Sequence, residues 1–137
     1  MMKAFALCAL VSMLCVFAPD PASSQEQQPA LSADQAQKLF KGSTEFGEGR
    51  KGDVDTGRRW TAFYAADGTV KKREAKTGDI LKGTWFTNPE GNNCFQFEGK
   101  DEPKCDVIVP DGDYYLRIRH DQVRARIKIQ EGNPSNL

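Results

Sequence analysis

The chain has 137 residues, of which 39% are hydrophobic and 28% are charged, a composition typical of one small globular domain and not of a disordered or fibrous protein. Its 19 lysine and arginine residues balance 19 aspartate and glutamate residues, so the formal net charge at pH 7 is zero. The chain as a whole therefore has no positive field that would favour nucleic acid as a partner.

Residues 1–24 have the pattern of a secretory signal peptide. Lys3 gives a short positive start, residues 4–18 form an apolar run, and residues 22–24 (Ala-Ser-Ser) supply small side chains at a cleavage site. The alternative is an uncleaved membrane anchor, but this apolar run is short for a bilayer core of roughly 30 Å. We expect a cleaved leader and a periplasmic protein without a stable membrane anchor.

Export determines how the cysteines are interpreted. Removal of the leader leaves Cys94 and Cys105, and two cysteines in an oxidising compartment more often form a disulfide than a metal site, which needs four ligands. Two unpaired thiols are the alternative. We predict a Cys94–Cys105 disulfide, worth roughly 3 kcal/mol in loop-closure entropy, and we expect neither a metal nor a cofactor.

The mature chain is expected to start with a flexible lead-in and to continue as one domain. Residues 25–31 are polar and contain a proline, which favours a mobile segment. Ser32 followed by Gln35 has the pattern of a capping box, and apolar residues at helical spacing follow it, so a short helix should end near Gly42. We place the single β-barrel domain at residues 32–131 and a tail at 132–137.

After this helix the chain alternates between short strand-like segments and turns rich in glycine, proline and aspartate. The predicted strands are residues 43–48, 59–65, 69–74, 80–87, 94–98, 105–109, 114–120 and 123–130. Residues 49–57 are predicted to form a charged, glycine-rich loop. Such regularly spaced strands favour an antiparallel meander, packed as a sandwich or closed into a barrel, and closure removes exposed strand edges.

We therefore predict an all-β fold, a small antiparallel eight-stranded meander barrel that is lipocalin-like in architecture, with one short N-terminal helix. The helix should either plug an open end or lie across the wall. A barrel of this size is filled by side chains or has room for one small ligand, and the sequence leaves both open.

Several short motifs resemble a known family. They are LFKGST at 39–44, Trp60, YAADGT at 64–69, GTW at 83–85, Cys94 and Cys105. In this order they resemble the secreted proteobacterial family catalogued as domain of unknown function 995, over about residues 39–129. The resemblance implies a periplasmic β-rich domain and assigns no catalytic residue. Lipocalins also carry a Gly-X-Trp motif, but on the first strand after their helix, so no lipocalin function is inferred.

Candidate chemistry is sparse, and we expect no enzymatic activity and no catalytic residue. His120 beside Asp121 could act as a base, but no nucleophile is placed for it, so a surface turn is the simpler interpretation. Residues 53–57 begin like a calcium loop, yet Tyr64 stands where an EF-hand requires its last acidic ligand.

Three aromatic residues on the predicted strands are candidates for lining a ligand cavity: Trp60, Tyr64 and Trp85. Aromatic side chains on strands also serve as ordinary core residues, which is the alternative interpretation.

The last hairpin carries the clearest functional pattern, because apolar and basic residues alternate along both strands. A turn centred on Asp121 and Gln122 pairs Ile118 with Ala125 and Leu116 with Ile127 on the core side. The outer side then forms an anion-binding face of Arg117, Arg119, Arg124, Arg126 and Lys128.

On that face arginines oppose one another, which is unfavourable without an anionic counterpart. The counterpart is either an external anion or an internal carboxylate such as Asp106. With Cys94 opposite Cys105, this pairing also puts Phe95, Phe97, Ile108 and Tyr115 outside the barrel. Either a β-bulge resets the alternation or the helix covers these residues.

Two functions from different classes follow from these patterns. The first is a periplasmic binding module for a small amphipathic or anionic ligand, saccharide-like or lipid-like. The second is a protein-interaction module, such as an inhibitor of a secreted hydrolase, with residues 49–57 as a protruding contact loop. The expected partner is a small molecule, an anionic polysaccharide or an extracytoplasmic protein, and not nucleic acid.

Overall fold

The structure is a computed structural model that describes residues 28–137. The predicted signal peptide and the start of the lead-in lie outside the described residues. The elements in chain order are α1 (Ala33–Phe40), β1 (Ser43–Lys51), β2 (Val54–Tyr64), β3 (Thr69–Glu74), β4 (Ile80–Thr87), β5 (Asn93–Phe97), β6 (Lys104–Asp111), β7 (Tyr114–Arg119) and β8 (Gln122–Glu131). From residue 28 onward, no helix has the length and apolar character that crossing a membrane requires.

The strands form a closed antiparallel barrel. Each strand pairs with its neighbours in sequence, and β8 closes the barrel by pairing with β1 from Ser43 opposite Glu131 to Gly49 opposite Ala125. The predicted eight-stranded meander barrel with one short N-terminal helix is confirmed. Closure gives each of the described strands a hydrogen-bonded neighbour on both sides, and this protection of strand edges was the reason for predicting a barrel and not a sandwich.

Helix α1 closes one end of the barrel. Its N-terminus is the predicted capping box, in which the Gln35 backbone N–H donates to the Ser32 hydroxyl (3.2 Å) and the Ser32 N–H donates to the Gln35 side chain (2.9 Å). At its other end Phe40 is fully buried in the barrel core and contacts the ring of Tyr64 edge-on at 5.0 Å. The helix therefore plugs an open end of the barrel and does not lie across its wall, which were the two predicted placements.

Cys94 and Cys105 lie directly opposite each other on β5 and β6, and their sulfur atoms are joined. The predicted disulfide is confirmed. It links the two adjacent strands that have the shortest mutual pairing in the barrel, which runs only from Asn93 to Phe95 on β5.

The predicted loop at residues 49–57 is instead a hairpin. β1 continues to Lys51, β2 starts at Val54, and Arg50 and Lys51 pair with Asp55 and Val54. The turn needs a left-handed residue, which Gly52 supplies at φ 62°. The loop prediction is wrong because these strand residues are polar on both sides, so no apolar alternation marks them.

The last hairpin turns one residue earlier than predicted. His120 and Asp121 both have left-handed φ values, 52° and 59°, and Arg119 pairs with Gln122 across this two-residue turn. A bulge then shifts the pairing, so that Arg117 lies opposite Ala125. The predicted pairs of Ile118 with Ala125 and Leu116 with Ile127 are therefore wrong.

This shift exchanges the two faces of β7. Tyr115 lies opposite Ile127, packs against the barrel core, and leaves Leu116 opposite Arg126 on the outside. Phe95 and Phe97 also pack against the core from inside. Of the two explanations that the sequence left open for these residues, the β-bulge is therefore correct: it changes the register by one residue, which moves every following side chain of the strand to the other face.

Gly47 allows the indole ring of Trp60 to lie against β1. It is the direct cross-strand partner of Trp60, and a Cβ atom added at position 47 would lie 2.0 Å from the indole ring. Such a distance is far inside van der Waals contact, so only glycine fits beneath this ring.

We predict that Gly47→Ala lowers the free energy of unfolding by about 1–3 kcal/mol, the usual cost of overpacking a core. Urea denaturation measures the loss. In a Trp60→Leu background, which removes the ring that the new methyl group would meet, the same change should cost clearly less. An equal cost in both backgrounds would show that the Trp60 contact is not the cause.

Candidate functional site

A buried polar cluster lies inside the barrel and is centred on Arg117, which is 3% exposed. Its Nε donates to both carboxylate oxygens of Glu45 (3.2 and 3.1 Å), and one terminal nitrogen donates to Oδ2 of Asp106 (3.1 Å). The other terminal nitrogen donates to Glu45, to the Tyr64 hydroxyl (2.7 Å) and to Oδ1 of Asn93 (2.9 Å). The side chains of the cluster thus come from five strands, β1, β2, β5, β6 and β7.

The protonation of this cluster follows from its surroundings. Burial alone lowers the pKa of Arg117, but the negative charge of Glu45, supported by Tyr64 and Asp106, outweighs it and raises that pKa above its ordinary value. Burial also raises the pKa of Tyr64 well above its ordinary value. The neutral hydroxyl can therefore accept from Arg117 and donate to Glu45 at 3.0 Å.

Arg119 completes the charge balance of the cluster. Its Nε donates to Oδ1 of Asp106 at 2.7 Å, while Oδ2 of the same carboxylate accepts from Arg117. Two guanidinium groups therefore face two carboxylates, those of Glu45 and Asp106. The internal alternative for Arg117, a pairing with Asp106, is confirmed, although the pair lies inside the barrel and not on its surface.

The five residues of the predicted anion-binding face do not share one face. Arg117 and Arg119 lie inside, for the reason of register given above, whereas Arg126 and Lys128 lie outside on β8. The Arg126 guanidinium stacks on the Tyr114 ring at 3.7 Å from its centroid. Arg124 is the unpaired residue of the bulge and lines the cavity at the rim of the barrel. The prediction of a single basic outer face is wrong.

A cavity of about 690 Å³ occupies the barrel between this cluster and the end opposite α1. Its floor includes Glu45, Tyr64 and Arg117, and its walls include rings of three aromatic residues. The lining residues that matter for binding are Trp60, Phe95 and Phe97 on the walls, and Arg50, Arg58, Lys100, Lys104, Arg119 and Arg124 towards the open end. The barrel interior is therefore hollow on one side of the cluster and packed with side chains on the other.

Two of the three predicted cavity residues line this space. Trp60 and Tyr64 do so, and both are also buried core residues. Trp85 does not line it, because its ring packs edge-on behind Tyr64 at 5.6 Å and its indole N–H donates to the Ala65 carbonyl oxygen (2.8 Å). For Trp85 the alternative interpretation, an ordinary core residue, is correct.

The cavity lining is strongly positive. It contains eight lysine and arginine side chains and three carboxylates. Arg50, Arg58 and Lys72 are each paired with a glutamate at its edge, Glu48 or Glu74. Among the residues that the structure describes, Lys100, Lys104 and Arg124 form no ion pair, so the excess positive charge is concentrated at the open end.

Lys72 adds a cation to the aromatic wall. Its ammonium group lies 4.7 Å from the centroid of the Trp60 ring and 5.7 Å from that of Phe97. Burial lowers the pKa of Lys72, and the charge of Arg58 acts in the same direction, while Glu74 opposes both. A negatively charged ligand near this wall would stabilise the charged form of Lys72.

The remaining sequence candidates do not converge on this cavity. His120 is exposed in the β7–β8 turn. The carboxylate of Asp55, in the predicted calcium segment, binds Arg59 (2.8 and 2.6 Å) and the Gly57 N–H (2.8 Å), which together hold the pKa of Asp55 below its usual range. Within residues 28–137, no group of three or more His, Cys, Asp or Glu side chains could hold a metal ion.

Glu45, Asn93 and Lys72 are site residues that the sequence analysis missed. Glu45 alternates with Phe46 on β1, and the apolar neighbour would normally be taken as the inward one. Nothing local marks the charged residue as buried, since its partner Arg117 lies 72 positions away in the chain. The one feature of the sequence that could have indicated an inward Glu45 is the pair of glycines Gly47 and Gly49, which lie on the same face of β1 as Glu45.

Searches against models of protein families and against curated proteins found no match to this chain. The resemblance to domain of unknown function 995 therefore remains a prediction.

We predict that Arg117→Met lowers the free energy of unfolding by about 3–5 kcal/mol, because it leaves the buried carboxylate of Glu45 without a cation and removes one of the two cations that face Asp106. Urea denaturation is the measurement, and Lys128→Met, which removes one charge from the exposed outer face of β8, is the matched control and should cost little. The difference between Arg117→Met and the wild type should narrow as the pH falls, since protonation removes the uncompensated charge. Equal stability of the two variants would contradict the structural role of the cluster.

Proposed function

We propose that the protein is a binding module that holds one small anionic or amphipathic molecule in its barrel, outside the cytoplasm. The observation that carries this proposal is the cavity of about 690 Å³, which the buried cluster around Arg117 closes at one end and which opens at the other between unpaired cations. Its volume lies within the range of roughly 300–1,000 Å³ that is usual for small-molecule sites.

The positive charge supports an anionic ligand. Lys100, Lys104 and Arg124 surround the open end, and low-dielectric barrel walls focus their field into the cavity. Arg50 and Arg58, whose glutamate partners lie at the edge, extend the same charge around the opening. A ligand that brings negative charge to this end would offset a repulsion that the protein leaves uncompensated.

Binding fits these residues better than catalysis. Glu45 and Asp106 are the carboxylates nearest the floor, and Arg117 engages both, so neither is free to act as a general base or nucleophile. A role in protein interaction has one observation in its favour, the projecting β1–β2 hairpin with Val54 65% exposed. That hairpin also contributes Arg50, Thr56 and Arg58 to the cavity, so a ligand site accounts for it as well.

The proposal includes export, which rests on the leader pattern and agrees with the Cys94–Cys105 disulfide. We predict that protein recovered from the periplasm begins near Gln25, by mass spectrometry of the intact chain. It should also contain no alkylatable thiol until it is reduced. A mature chain that retains residues 1–24, with two reactive thiols, would contradict export.

We predict that an anionic fluorescent amphiphile, anilinonaphthalene sulfonate, binds the native protein with a stoichiometry near one and that Leu81→Trp weakens this binding at least about tenfold. Leu81 lines the cavity, so a larger side chain there takes up ligand space. Ile80→Trp is the matched control, because Ile80 is the neighbouring exposed residue of β4 and does not line the cavity. The measurement is probe emission on titration.

Identical behaviour of the two tryptophan variants would mean that the probe binds elsewhere. Absence of binding by the wild type to this probe and to the acidic sugar and fatty acid described below would overturn the proposed function.

A further inference from the structure

We infer that the ligand carries a carboxylate held by Arg119 and Lys104, and that its body is a polyhydroxylated ring, as in an acidic sugar, and not an alkyl chain. This deepens the proposed function and rests on it, because it places the ligand in the same cavity. It also excludes the most conspicuous cation of the barrel, Arg117, as the receptor of the anion.

Arg117 has at most one N–H group left for a ligand, too few for the two oxygens of a carboxylate. Of the five N–H groups of a guanidinium, the Nε group and those of one terminal nitrogen are engaged by Glu45, Tyr64 and Asn93, and the other terminal nitrogen donates to Asp106. A ligand carboxylate at this position would have to displace Glu45, a buried carboxylate that is already paired. Arg117 therefore shapes the floor of the cavity without binding the anion.

Arg119 is the guanidinium that is both oriented and free to bind. Its Nε is fixed by Asp106 at 2.7 Å, and its plane lies near the Phe95 ring, 5.8 Å from the centroid. Its two terminal nitrogens make no hydrogen bond to the described part of the chain, and the side chain is 22% exposed and lines the cavity. The terminal edge of an arginine matches the two oxygens of a carboxylate.

Lys104 lines the same cavity as Arg119. It is the cross-strand partner of Phe95, and it shares a face of β6 with Asp106, which stands two residues further along. Both oxygens of Asp106 are already engaged, one by Arg117 and the other by Arg119. Lys104 itself has no ion pair with any residue from 28 to 137. Glu102, the third carboxylate of the lining, is paired with neither Lys104 nor Arg119, so an anion that reaches both would meet two cations.

The rest of the cavity favours a ring with hydroxyl groups. Its walls combine aromatic rings, those of Trp60 and Phe97, with polar side chains such as those of Lys72 and Thr56. An alkyl chain would remove water from these polar groups and return no hydrogen bond, which is costly. A sugar replaces that water with its own hydroxyl groups and lays its C–H face on an aromatic ring.

The test is isothermal titration calorimetry of the native protein with three probes: digalacturonate, its neutral methyl ester, and laurate. We expect digalacturonate to bind, its ester to bind at least about tenfold more weakly because the charged hydrogen bonds are lost, and laurate to bind more weakly than either. Arg119→Gln should reduce digalacturonate affinity at least about tenfold, and Arg119→Lys, which retains the charge but not the planar edge, should lie between. Lys104→Gln should also weaken it.

Lys128→Gln is the matched control, because it removes the same charge from the exposed outer face of β8 and should leave the affinity unchanged. Thermal melting checks that Arg119→Gln is folded, as expected while Asp106 retains its bond to Arg117. Digalacturonate binding that Arg119→Gln and Lys104→Gln leave intact would overturn the inference.

Tighter binding of laurate than of digalacturonate, with sensitivity to Leu81→Trp, would also overturn the inference but would leave the proposed function standing. No binding of digalacturonate, laurate or anilinonaphthalene sulfonate would overturn both.

Discussion

The guanidinium of Arg117 is the group on which the rest of the barrel depends. It joins five strands through Glu45, Tyr64, Asn93, Asp106 and its own backbone on β7. A buried ion pair contributes little net stability against an apolar replacement, because removing both charges from water is costly. Its effect is to select one register for β7. A slip of β7 by one residue would carry Arg117 outside and leave two carboxylates buried without a cation.

This cluster also divides the barrel into two halves. On the side of α1, Phe40, Tyr64, Trp85, Ile108 and Ile127 form a packed apolar core. On the other side the interior is a cavity with aromatic and charged walls. A small barrel can contain both because α1 supplies one end of the core from outside the sheet, so the strands need to bury apolar side chains over only part of their length.

The charges of the cavity follow from the same division. Near the cluster every cation has a carboxylate, since an unpaired charge deep in the barrel would be costly. Towards the open end water solvates the side chains, so Lys100, Lys104 and Arg124 can stand without a partner at a modest repulsive cost. Positive charge that the fold does not require is thus concentrated where a ligand would enter. For this reason we place both the ligand site and its carboxylate-binding residues at the open end.

Local features were decided by the sequence itself. The capping box of Ser32 and Gln35 starts α1, the predicted bounds of β3 and β4 agree with the structure, and Cys94 meets Cys105. The helix cap and the strand bounds depend on contacts within a few residues. The disulfide depends on an oxidising compartment, in which two cysteines pair. The barrel itself followed from the spacing of such elements.

The face of β7 and the cavity were decided only by the tertiary structure. His120 and Asp121 adopt left-handed conformations in the turn although neither is glycine, so the sequence gives no sign of the turn's position. The bulge after it follows no local pattern either. Glu45 selects the inward orientation of Arg117 from 72 residues away. The register of a strand depends on such distant partners, and because side chains alternate between faces, a one-residue difference moved Arg117 from the predicted outer face into the core.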